Sequence, residues 1–183
     1  MKTKFFNIML SLVLFSFSIK AQEATDNISA DNYSSEVFAT VLIDSLNQYR
    51  AKSEAPELAA DDLLTSAAGD QAEYMAKQAA IEIEQSKASK KTTGKRVRYY
   101  GGSSEGSEEV VFYIACAKGK EQYTYTKVVS DVMAKITKNK KQSTILNNKD
   151  YIYAGIGATM DGGGKKLYIS IVLGNDAAIT KGK

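Results

Sequence analysis

The sequence predicts an α/β domain built on an antiparallel hairpin with helices on both faces. Three observations predict it. The stretch "YAGIGATMDGGGKKLYISIVLG", 153–174, sets two apolar runs on either side of Asp161, Gly162, Gly163 and Gly164. Glycines reverse the chain at little steric cost, so these runs read as hairpin strands. Both strands carry apolar residues on both faces, which requires a layer above and a layer below. Second, apolar residues recur at helical spacing in three places. Third, "VVFYIAC" from Val110 is a continuous β-branched and aromatic run, the pattern of a buried strand.

In chain order, "MKTK" followed by the mainly apolar 15-residue stretch "FFNIMLSLVLFSFSI" reads as a signal peptide over 1–21, too short for a membrane span. A flexible lead is expected over 22–35, the folded domain over 36–175 and a tail over 176–183. Phe38, Val41, Leu42, Ser45, Leu46 and Tyr49 share one helix face ending near Ala51. Asp61 and Asp62 precede Leu63, where a carboxylate accepts from the free amides of a helix start. Leu64, Ala67, Ala68, Met75 and Ala76 form the stripe of that second helix, small enough for close packing. Residues 86–107, with six basic residues and four glycines, read as a loop, and "STILNNKD" as a link. Between them, Val129, Val132, Met133 and Ile136 mark a third helix. The expected order is helix, helix, strand, helix, strand, strand.

Charge is divided along the chain. Residues 22–85 carry 13 acidic and 3 basic residues, net −10; residues 86–183 carry 8 and 18, net +10. Without the leader the net charge is zero, so the excess of base over the full chain points to no nucleic-acid partner. The single Cys116 forms no internal disulfide and lies in an apolar run that disfavours a thiolate.

The chain has no histidine, which excludes Ser–His–Asp and Cys–His catalysis and histidine metal ligation within it. Neither "GGGKK" nor "KTTGKR" is a phosphate loop, since Thr159 and Ser89 stand where the first glycine is required. Asp61–Asp62 reads as a helix cap. Glu108–Glu109, at the entrance to a strand, reads as a solvated pair, with one of the two facing a cleft as the alternative. Lys90, Lys91, Lys95, Arg96 and Arg98, with Tyr99 and Tyr100 beside them, are candidates for binding an anion.

Residues 42–78, "LIDSLNQYRAKSEAPELAADDLLTSAAGDQAEYMAKQ", resemble the opening of the CAP superfamily, the SCP-like extracellular domain of cysteine-rich secretory, antigen 5 and pathogenesis-related proteins. The likeness rests on Asn47 and Arg50, on Leu58, Leu63 and Leu64, and on Ala67, Ala68, Ala72 and Met75. "TILNNKDYIYAGIGATMDGGGKKLYISIVLGN" resembles the closing segment, with Gly155 and Gly157 in the strand, and "GSEEVVFYIA" more loosely a middle one. The resemblance implies a three-layer α/β/α sandwich with a central, mainly antiparallel sheet. It also implies a cleft where many members hold two histidines and two acids, some with a divalent metal. Here the histidine of the family's Ser-x-x-His stretch falls on Lys141 and its serine on Lys138. The aromatic of the third helix becomes Met133 or Lys135, and Glu109 is the surviving acid.

The expectation is therefore an exported, non-enzymatic binding module, without metal or cofactor, whose cleft holds Glu109 and Lys141. An anionic envelope component, a lipid or an acidic protein is the expected partner. Two alternatives stand beside it: a hydrolase working through Glu109 with Lys141, and a salt-sensitive assembly joining the −10 and +10 halves of neighbouring molecules.

Overall fold

The computed structural model describes residues 24, 27–29, 32–116 and 123–180. The signal peptide expected over 1–21 lies outside them, as does part of the lead expected over 22–35. Helix α1 spans Ser35–Ala51, with the Ser34 hydroxyl accepting from the Val37 amide and Phe38, Leu42, Leu46 and Arg50 buried at every fourth position. A two-residue strand β1, Ala59–Ala60, leads to α2, Asp62–Gln78. As expected, Asp61 caps that helix, its carboxylate accepting from the Leu64 amide at 2.9 Å.

Helix α3 spans Thr93–Tyr99 and β2 spans Ser107–Ala115. Then follow α4, Tyr125–Lys138; α5, Lys140–Leu146; β3, Tyr153–Met160; β4, Lys166–Gly174; and α6, Asp176–Ile179. The sheet runs β1-β3-β4-β2, antiparallel except for the parallel β1–β3 pair. The hairpin turns where its sequence requires: Asp161 accepts from the Lys165 and Lys166 amides, and Gly164 adopts φ 65°.

Helices lie on both faces, making the expected three-layer α/β/α sandwich. On one face, α1 and α4 pack Phe38, Leu42, Leu46, Val128, Val132 and Ile136 against Phe112, Ile156, Ile169 and Ile171. On the other, α2 and α3 bring Leu64, Ala67, Ala68 and Val97 against Val172. Strand alternation gives β3 two unlike faces: Ala154, Ile156 and Ala158 meet the larger core, and Gly155 and Gly157 meet α2. A Cβ on Gly155 would stand 1.9 Å from the backbone of Leu64, and one on Gly157 would stand 2.2 Å from that of Ala68. The alanine stripe and these glycines together let a helix lie directly on the strand.

Three short helices were not legible as such. Helix α3 has one buried apolar residue, Val97, and is held by tertiary contacts of Arg96 rather than by a periodic stripe. Helix α5 begins at an Asn139 cap and buries only Leu146 fully. Part of the stretch expected as a tail forms α6, whose Ala178 is fully buried.

Gly157→Ala is expected to lower stability by more than about 2 kcal/mol, because α2 cannot move off a backbone clash. Gly162→Ala, at a turn position where a Cβ meets nothing within 4 Å, should change it by less than about 0.5 kcal/mol. Urea melts of the two variants check both.

Candidate functional site

The site begins at Arg50, whose side chain is fully buried at the end of α1. No carboxylate pairs with it among the described residues; backbone carbonyls do. Nε donates to Pro56 at 2.8 Å, one terminal nitrogen to Leu146 and also to Asn148 at 3.2 Å, and the other to Tyr151 at 2.7 Å. The planar guanidinium fork suits four acceptors converging from two directions. Asn47, one turn earlier, exchanges two hydrogen bonds with the Leu58 backbone, at 3.1 and 2.8 Å. The 55–58 loop and the 146–151 loop are thereby fixed to the end of one helix.

An open cleft of about 1050 Å³ lies on the far side of the 146–151 loop. Glu108, Lys140, Lys141, Ser143, Asn147 and Asn148 are among its walls. Beside it, burial and then the Glu108 carboxylate, by charge and by hydrogen bond, push the Tyr151 hydroxyl up to about 12. The Asn147 amide donates to the Tyr49 hydroxyl at 3.1 Å, but its carbonyl oxygen is buried without a partner.

The structure brings Lys141 to this cleft and does not bring Glu109. Consecutive residues of β2 point to opposite faces. Glu108 shares the parity of Val110, Phe112 and Ile114, and opens onto the Lys141 side. Glu109 turns to the α2–α3 face, where its side chain is 2% exposed and pairs with the fully buried Arg96. Thr93 and Ser170 hydroxyls donate to it at 2.9 and 2.6 Å. Burial pushes the Glu109 carboxyl up, while Arg96 and the two hydroxyls pull the other way. A cleft reaction through Glu109 and Lys141 therefore has no geometry here. Glu108 was the acid to choose, and extending the two-residue alternation of the strand back from Val110 would have found it.

The basic cluster also divides. Arg96, expected at the surface with the others, is internal: it donates to the Lys90 and Lys91 carbonyls at 3.0 and 3.3 Å and has Glu109 as its anion. Lys90 reaches Asp70 at 2.9 Å with the Tyr99 ring 4.2 Å away, and Lys91 pairs with Glu84 at 3.3 Å. Lys95 and Arg98 are exposed. These five residues do not form one anion surface, because three of them already hold acids.

The family metal finds a poor donor set in the cleft. One carboxylate, two ammonium groups, amides and hydroxyls repel a divalent cation more than they bind it. Among the described residues no three His, Cys, Asp or Glu side chains come together.

A three-layer helix–sheet–helix sandwich with this order of elements, and an open cleft between β2 and α5, is the architecture of an SCP-like domain. The model of the CAP, cysteine-rich secretory protein, family matches residues 43–173, and the chain belongs to that family. An outer surface protein from Borrelia burgdorferi superposes with TM-score 0.61 at 13% identity, over 82% of this chain and 98% of that one. An extracellular SCP-domain protein from Bacillus anthracis str. Ames gives TM-score 0.57 at 14% identity, over 75% of this chain and 40% of that one. A cysteine-rich secretory protein from Staphylococcus aureus gives TM-score 0.50 at 13% identity, over 78% of this chain and 40% of that one. Such identities establish the fold and not the activity. No curated protein sequence matches the chain.

Two outcomes follow from the buried groups. Arg96→Ala and Glu109→Gln should each cost about 3–5 kcal/mol, since each leaves a buried partner uncompensated. The double change R96A/E109Q should cost less than the sum of the two single changes in a urea-denaturation cycle. Burial pushes the half-buried Cys116 thiol up to about 11. Its alkylation by iodoacetamide at pH 7 should run about a hundredfold slower than that of free cysteine and accelerate as pH rises.

Proposed function

We propose that the chain is an exported binding module whose cleft holds a hydroxyl-rich anion, of the kind an acidic envelope polysaccharide presents. The observation that carries the reading is Lys141, in the place of a family histidine, beside Lys140 and opposite the lone carboxylate Glu108. Ammonium groups bind carboxylate or phosphate as point charges and do not replace an imidazole as general base or metal ligand at neutral pH. The Ser143 and Thr144 hydroxyls and the Asn147 and Asn148 amides along the cleft support the second half of the reading, because such groups pair with sugar hydroxyls. Sugar hydroxyls bring donors, and acidic glycans bring the charge.

Export is supported by the apolar leader at 1–21 and by the family, whose solved relatives include an outer surface protein and an extracellular one. No helix among the described residues is long and apolar enough to cross a membrane.

Polygalacturonate is a suitable probe, with its methyl ester as the control that keeps hydroxyls and removes charge. Binding of the acid form should weaken as salt rises and fall about tenfold or more in K140E/K141E. K95E/R98E should bind like the parent. Equal binding of acid and ester, or indifference to K140E/K141E, defeats this assignment.

A further inference from the structure

The two edges of the sheet are treated differently. At the β2 edge, Lys135 donates to the Tyr113 carbonyl at 2.9 Å, and the Lys135 and Lys166 ammonium groups lie 4.9 and 5.0 Å from the Tyr113 ring. Lys135, from α4, thus occupies an acceptor of that edge, and a covered edge opposes pairing with another chain. At the other edge, β1 covers β3 only at Tyr153 and Ala154. The Ala59 and Asp61 amides donate there to Ile152 and Ala154, so even-numbered residues of β3 present their backbone to this side. Beyond Ala154 the strand continues with Ile156, Ala158 and Met160. Tyr33 donates to the Ala158 carbonyl at 3.4 Å, and the Ile156 amide has no partner on this side among the described residues.

The edge at Ala154 and Ile156 is the floor of a groove of about 530 Å³ between the starts of α1 and α2. Ala39, Ile43, Ala154 and Ile156 make it apolar, and Glu36 and Asp62 stand on its two sides. Both acids are exposed, and neither has an ion-pair partner among the described residues. The groove has the size of a ligand pocket, about 300–1,000 Å³, but its floor is a strand edge, which selects an extended backbone.

We infer that the β3 edge between α1 and α2 is a docking site for an extended basic peptide from a partner protein, added as a short strand. Its backbone pairs with Ile156, an apolar side chain enters between Ile43 and Ile156, and lysine or arginine side chains flanking it meet Glu36 and Asp62. Alternation of the bound strand sends those side chains to the two helices. The site is distinct from the cationic cleft and opposite to it in sign, so one domain joins an anion on one side and a cationic segment on the other.

The test pans a phage library of random eight-residue peptides on the full chain. Recovered peptides should be rich in lysine or arginine flanking β-branched residues, and E36K/D62K should weaken them about tenfold or more. Amide NMR shifts and hydrogen-exchange protection should gather at Ile156, and N-methylation of the pairing residues should abolish binding. K140E/K141E, which tests the cleft, should leave peptide binding intact. Recovery of no peptide tighter than about 1 mM overturns the inference, as do shifts centred on Ser143 and Asn147 or binders indifferent to both E36K/D62K and N-methylation.

Discussion

A guanidinium held by main-chain carbonyls fixes the shape of this domain. Arg50 is taken wholly out of water, which costs several kcal/mol unless every donor is satisfied, and four main-chain carbonyls satisfy it. Three of those carbonyls belong to the 146–151 loop, nearly a hundred residues away in sequence. The loop must keep them converging, so the end of α5 and the wall of the cleft are set by the end of α1. A lysine offers one nitrogen in place of a planar fork and does not reach four carbonyls at once.

The opposite face depends on the absence of side chains. Gly155 and Gly157 remove two Cβ atoms under Leu64 and Ala68, and α2 settles onto β3 without a layer of larger residues. This thin interface leaves room beside it for a polar node, in which Gln85 donates to Gln71 at 3.1 Å and Glu109 gathers Arg96, Thr93 and Ser170. The node makes 79–105 part of the folded domain, although its composition resembles a surface loop. It also consumes charges that a one-dimensional count assigns to the surface.

Two adjacent glutamates thus acquire unrelated roles from one backbone rule. Glu108 stays at an open cleft with two lysines, and Glu109 is buried as the counter-ion of an arginine. The cleft consequently differs from the metal-holding arrangement of many family members in the sign of its side chains as well as in the loss of imidazole. Where those members concentrate acids and histidines, this one presents ammonium groups, hydroxyls and side-chain amides.

The sequence by itself determined the three long helices, the β2 run and the closing hairpin, because each carries a periodic apolar face or a turn that only certain residues permit. It also determined which chemistry is out of reach, since a chain without histidine cannot supply an imidazole. Helices α3, α5 and α6 were not legible, as each is four to seven residues long and held by caps and distant contacts rather than by its own stripe. Lys141 was placed by alignment of neighbouring residues; the acid beside it was not, because Glu108 and Glu109 are alike in composition and differ only in parity along β2. Tertiary structure alone decided that Arg96 points inward and that β1 stops after two residues. Both outcomes depend on which surfaces meet across the sheet, and local spacing does not record that.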